Sequence, residues 1–245
     1  MDTLYIREIR IDRSRSHEPD SYVFRLPAIK SLKALKPTSP VTILVGENGT
    51  GKSTLLEAIA VAYGFNAEGG SLNFNFATKD THSPLYQSTI LGKGATRPRD
   101  GFFLRAESFY NVATEVDRLN KEGPPTLYRS YGGKSLHDQS HGESFLSLIM
   151  NRFFGKGLYL LDEPEAALSP AKQLALLARI HELVQMDSQF FIATHSPILM
   201  GYPGAQLLAL SEEGVKNTPY EDLDHVQIMR LFLENRQRVL RDLFD

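Results

Sequence analysis

The chain has 245 residues, 42% hydrophobic and 23% charged, with a formal net charge of −2 and no cysteine. That length suits a single α/β domain over 1–245 and is enough to bury a sizeable core. The charge balance excludes a global field drawing the chain onto DNA or an anionic membrane, and the lack of cysteine excludes a disulfide framework or a thiolate metal site. Leu4 and Ile6 alternate with Arg7, Glu8 and Arg10, which is not a signal-peptide pattern. Every apolar run falls short of the ~18 residues of a membrane span, so a cytoplasmic chain without membrane insertion is expected.

In chain order, residues 3–11 and 21–26 read as two strands around a polar turn, an N-terminal antiparallel β subdomain. A short β-branched strand follows at 41–45, then a helix. Residues 64–101 are rich in glycine, asparagine, serine and threonine, with Phe74 and Phe76 interspersed. They read as an irregular insert or small β arm. Residues 102–105 form a strand and 108–121 a helix; glycine and proline at 123–125 and 132–133 mark a loop. A helix with apolar spacing at Phe145, Leu148 and Ile149 closes a region spanning 102–155. Strands at 158–161 and 189–194 flank an amphipathic helix at 170–186. A hairpin at 205–215 precedes a charged amphipathic helix within 220–245. This alternation predicts a mainly parallel sheet flanked by helices.

The sharpest motif is Gly46-Glu47-Asn48-Gly49-Thr50-Gly51-Lys52-Ser53-Thr54, directly after the strand at 41–45. It fits the phosphate-loop pattern G-x-x-x-x-G-K-[ST] between a strand and a helix. Backbone N–H groups and the helix N-terminus would cradle a polyphosphate, with Lys52 reaching the β/γ-phosphates and Ser53 ligating Mg²⁺. Turn chemistry alone does not explain Lys-Ser at that place. The apolar strand at 158–161 ends in Asp162-Glu163-Pro164. Ligands bind at the carboxyl ends of strands in such sheets, so Asp162 is expected to hold Mg²⁺ and Glu163 to polarise a water in line with the γ-phosphate.

Ser140-His141-Gly142-Glu143-Ser144 lies before that strand, Glu165-Ala166-Ala167-Leu168-Ser169 follows the carboxylates, and Ala193-Thr194-His195-Ser196-Pro197 ends the next strand. In this order the five motifs resemble the ATP-binding-cassette (ABC) ATPases over most of the chain, and in particular the soluble SMC and DNA-repair branch. The resemblance implies a P-loop NTPase, ABC ATPase-like, with ATP and Mg²⁺ as cofactors. Ser140, Gly142 and Glu143 match the signature motif, which meets the γ-phosphate of a partner subunit. The same residues also read as a helix cap with a capping box. Residues 166–169 match the loop through which subunits exchange contacts, and His195 matches the switch histidine.

Two departures stand out. No glutamine follows 102–105 to ligate Mg²⁺; Glu107 or Ser108 takes that place, Glu107 by preference, and Glu107 reads equally as a carboxylate at a helix N-terminus. Tyr22 and Phe24 lie where transporters stack adenine, yet their alternation with Val23 suits core packing. The resemblance implies an ATP hydrolase working as an ATP-dependent homodimer for a nucleic-acid or effector-protein partner. The alternatives are a transporter's nucleotide-binding subunit and a non-hydrolytic dimerisation switch. Lys93, Arg97, Arg99 and Arg105, with Lys30, Lys33 and Lys36, are the basic clusters open to nucleic acid.

Overall fold

The computed structural model describes residues 4–72, 83–122, 133 and 135–244; Phe74, Phe76 and the loop signals at 123–125 and 132 lie outside them. The elements run β1 (Ile6–Ile11), α1 (Pro27–Ser31), β2 (Ala34–Leu35), β3 (Val41–Val45), α2 (Lys52–Tyr63), β4 (Gly70–Ser71), α3 (Leu85–Ser88), β5 (Thr89–Lys93), β6 (Asp100–Arg105) and α4 (Phe109–Glu122). They continue with α5 (His141–Arg152), β7 (Gly157–Asp162), α6 (Pro170–Gln185), β8 (Gln189–Ala193), α7 (Pro197–Met200), β9 (Gln206–Ser211), β10 (Gly214–Asn217), α8 (Asp224–Glu234) and α9 (Arg236–Phe244).

The main sheet has the order β10-β9-β3-β8-β7-β6-β4. Its five inner strands are parallel, and β10 and β4 add antiparallel edges. Every residue of β3, β7 and β8 is buried, as continuous apolar strands covered on both faces must be. Alternation divides their side chains. Val41, Ile43, Tyr159, Leu161, Phe190 and Ile192 pack with α4, α5 and α6. Leu44, Leu158, Leu160 and Phe191 pack with α2 and the N-terminal sheet. Register brings the carboxyl ends level: Leu44 and Asp162 both pair with Ala193, and Arg105 pairs with Asp162. The loops that follow these strands therefore open at one edge, which is where the site forms.

The second sheet, β2-β1-β5, is antiparallel, as the N-terminal subdomain requires. One buried side chain ties it to the main sheet. Gln189 Oε1 accepts from the Tyr5 and Ile6 N–H groups at 2.8 and 2.9 Å, and its Nε2 donates to the Ile6 carbonyl at 3.0 Å.

Three elements differ from the sequence reading. Residues 22–25 form a 3₁₀ turn and no strand. Val23 and Phe24 are consecutive and both buried while Tyr22 is exposed, a pattern a turn satisfies and an alternating strand does not. Phe24 packs in the core as expected, with the Arg13 guanidinium 5.4 Å over its ring. Within 64–101, read as an irregular insert or small β arm, Thr89–Lys93 is a strand paired with β1 that completes the small N-terminal sheet. Its glycine at position 92 hid the pattern. The C-terminal helix is two helices, because Asn235 leaves the helical conformation and Arg236 begins a new one.

Candidate nucleotide site

Gly49 and Gly51 take positive φ values of 80° and 101°, which lets the chain turn from β3 into α2 without a Cβ penalty. Lys52 is almost fully buried inside this loop, and its ammonium donates to the Gly46 and Glu47 carbonyls at 2.8 and 3.0 Å. Burial lowers its pKa, while the carboxylates of Glu163, Asp162, Glu165 and Glu47 oppose that shift. Lys52 thus sits under the loop with its ammonium held by two backbone carbonyls. The Thr50 hydroxyl donates to the Glu47 carbonyl at 2.8 Å and braces the same turn.

Asp162 ends β7 beside the loop with only 5% of its surface exposed. Burial raises its pKa to about 6, against the Arg105 guanidinium and a hydrogen bond from Ser53, which lower it. Its Oδ1 is buried without a hydrogen-bond partner. An orphaned buried carboxylate oxygen next to the phosphate-loop serine fits a hard cation that takes oxygen ligands. Among the described residues no three His, Asp or Glu side chains converge as a ready-made metal cage. A cation at Ser53 and Asp162 would draw its other ligands from phosphates and water, the habit of Mg²⁺.

Glu163 follows in the left-handed region, with φ 50° and ψ 50°. A non-glycine residue there is strained by roughly 1–3 kcal/mol, a cost found concentrated at functional positions. Its Oε1 lies 3.6 Å from His195 Nε2. His195 has its pKa lowered by burial first and by Lys52 second, so it sits neutral at physiological pH and can serve as a hydrogen-bond donor. Its Nε2 is buried and unpartnered. The His195 backbone N–H donates to Glu165, which fixes the loop after β8 against the turn after β7.

The remaining sequence-derived residues lie elsewhere. Ser140 caps α5, and the Glu143 carboxylate accepts from the Ser140 N–H and hydroxyl at 3.2 and 2.7 Å, so the capping box is present. Those hydrogen bonds hold the Glu143 carboxyl below its usual pKa. Gly142 packs so tightly on the 165–169 turn that an added Cβ would lie 2.5 Å from the Ala167 carbonyl oxygen. Among the described residues, no hydrogen bond joins the Ser140–Glu143 turn to this chain's own phosphate loop. Glu107 is exposed, with its carboxylate 3.7 Å from Arg105 and no direct contact to Asp162. Tyr22 is exposed as well.

Sequence reasoning missed the Arg105 cluster. Arg105 was assigned to a surface patch, but its guanidinium is largely buried. It pairs with Glu57 at 2.6 Å and approaches Asp162 at 3.5 Å. The available signal was Glu57, a lone carboxylate within the apolar helical run Leu55-Leu56-Glu57-Ala58-Ile59-Ala60. Gln173 was also missed: it donates to the Leu168 carbonyl at 3.0 Å and accepts from Ser196 at 2.5 Å, locking two site loops together.

The Gly46–Thr54 loop follows an inner parallel strand, with the strand that ends in Asp162 and the strand that precedes His195 in the same sheet, all opening at one edge. Residues 8–119 match the family model of an AAA domain, just under half of the chain. No curated protein matches the chain significantly. Among solved structures, the chain is similar to the SMC head domain from Thermotoga maritima at 13% identity, with a TM-score of 0.47 and coverage of 88% of this chain and 100% of that one. It is also similar to cbiO1 from Clostridium perfringens, part of the ABC transporter complex cbiONQ. There the identity is 16% and the TM-score 0.48, with 96% and 97% of the two chains covered. No helix among the described residues is long and apolar enough to cross a membrane.

Proposed function

We propose that the chain binds ATP with Mg²⁺ and hydrolyses it at a composite site formed by two copies, driving a conformational change in a nucleic-acid or protein partner. The observation that carries this reading is the orphaned Oδ1 of Asp162 beside Ser53, with Glu163 and a neutral His195 a few ångströms on. Lys52 and the loop N–H groups bind and orient the polyphosphate. Ser53 and Asp162 hold the cation, which when bound neutralises charge on the β- and γ-phosphates. Glu163 orients and polarises the attacking water, and His195 donates from Nε2 toward the γ-phosphate. Glu107, exposed at the rim, is the candidate to complete the cation's surroundings in place of the usual glutamine.

The signature turn supports the two-copy part of the reading. Ser140 is exposed at the N-terminus of α5, and among the described residues no hydrogen bond ties it to its own phosphate loop; the Glu143 carboxylate now holds its N–H and hydroxyl, a place that a phosphate presented by another subunit would take over. Phosphate release by the purified protein tests the reaction. Steady turnover is expected in wild type and loss to background in Lys52→Ala and Glu163→Gln. Equal phosphate release by wild type and Glu163→Gln would refute it.

A further inference from the structure

Two histidines from different elements meet at the site, and the second lies outside every sequence motif. His225 stands in the first turn of α8, which is anchored in the main core by Val226 and the preceding Leu223. Its Nε2 lies 3.2 Å from His195 Nδ1, with the ring centroids 5.4 Å apart and tilted by 49°. In the hydrogen bond between the two rings, one nitrogen donates and the other accepts. The surroundings of His195 decide which. Its other nitrogen, Nε2, is buried without a hydrogen-bond partner and faces Glu163 Oε1 at 3.6 Å. A bare Nε2 would set two acceptors against each other, whereas Nε2–H meets the carboxylate favourably. Nδ1 is then the acceptor, and His225 Nε2–H the donor.

We infer that His225 is a positioning residue for hydrolysis: it donates to His195 Nδ1, fixes the Nε2–H tautomer and ring orientation, and aims that N–H at the space between Glu163 and the phosphate loop. The inference rests on the proposed role of His195 and extends it. It also makes the C-terminal segment part of the catalytic apparatus, because the helix that supplies His225 closes one side of the cleft beside Glu47.

The test replaces His225 in the full-length chain and reads steady-state ATP hydrolysis with Mg²⁺. His225→Ala and the shape-preserving His225→Phe are expected to lower kcat by about tenfold with KM changed less than about twofold, a part of the 10²–10⁴-fold that a positioned proton-transfer group contributes. His225→Gln restores an N–H donor at similar reach and is expected to recover most of the loss. In a His195→Ala background, His225→Ala adds nothing further. A second readout needs no activity: long-range ¹⁵N–¹H NMR of the nucleotide-free protein should show the His195 proton on Nε2 in wild type and a mixture of tautomers in His225→Phe. Unchanged kcat in a folded His225→Phe, an undiminished further loss in the His195→Ala background, or a wild-type His195 protonated on Nδ1 would each overturn the inference. If wild type turns over no ATP, the hydrolase reading fails, and the NMR result alone decides the pairing of the two rings.

Discussion

Replacing Asp162 by asparagine is expected to stabilise the nucleotide-free protein while disabling it. The carboxyl is buried, and its pKa is raised from 3.8 to about 6. That separation of about two pKa units corresponds to about 3 kcal/mol of penalty for holding the group ionised in the folded chain at pH 7.5. The sign follows from the direction of the shift. Below the unfolded value both states are protonated and no penalty exists. As pH rises toward the folded value, the unfolded chain ionises first, and above about pH 6 the penalty is complete. Asparagine keeps the shape and accepts the Ser53 hydrogen bond without a charge. A gain of about 1–3 kcal/mol is expected, or about 2–10 °C in the unfolding midpoint for a chain of this size. Thermal unfolding at pH 7.5 without nucleotide measures it, and the gain should shrink as pH falls from 7.5 toward 4. Adding ATP with Mg²⁺ should reverse the order, because only wild type couples binding to the cation. An Asp162→Asn protein no more stable than wild type, or a difference independent of pH, would refute the reasoning.

Two further substitutions probe the framework around the site. Gln189→Ala removes three buried hydrogen bonds between the two sheets and leaves the Tyr5 and Ile6 N–H groups unsatisfied. It should cost about 2–4 kcal/mol in chemical denaturation, and a loss under 1 kcal/mol would contradict the role given to that side chain. Gly142→Ala places a Cβ 2.5 Å from the Ala167 carbonyl oxygen, so the α5 N-terminus and the 165–169 turn must separate. Stability is expected to fall by about 1–3 kcal/mol, while phosphate release falls far more. A variant that is destabilised yet fully active would detach the signature turn from function.

The positions of Lys52, Asp162 and His195 were legible because each lies in a contiguous string at the end of a buried strand or just after one, and the apolar runs announce those strands. What escaped was assembled from distant segments. Arg105 and Glu57 are 48 positions apart and meet only through the pairing of β6 with β7 and the packing of α2. His225 reaches His195 across 30 residues. Local pattern failed where burial was not periodic: the 22–25 turn buries two neighbouring residues, and β5 carries a glycine and stays half exposed on its outer face. The antiparallel N-terminal subdomain was anticipated as an architecture, but of its three strands only β1 was placed, and β2 and β5 were not. Strand pairing across about 80 residues leaves no local trace.

The central claim is that ATP joins two copies of this chain face to face. Glu163→Gln retains the loop, Ser53, Asp162 and the exposed Ser140 turn while removing the carboxylate proposed to polarise water. Light scattering of this variant at micromolar concentration should give the monomer mass alone and twice that mass with ATP and Mg²⁺. A mass that stays at the monomer value, or that doubles equally without nucleotide, would contradict the account.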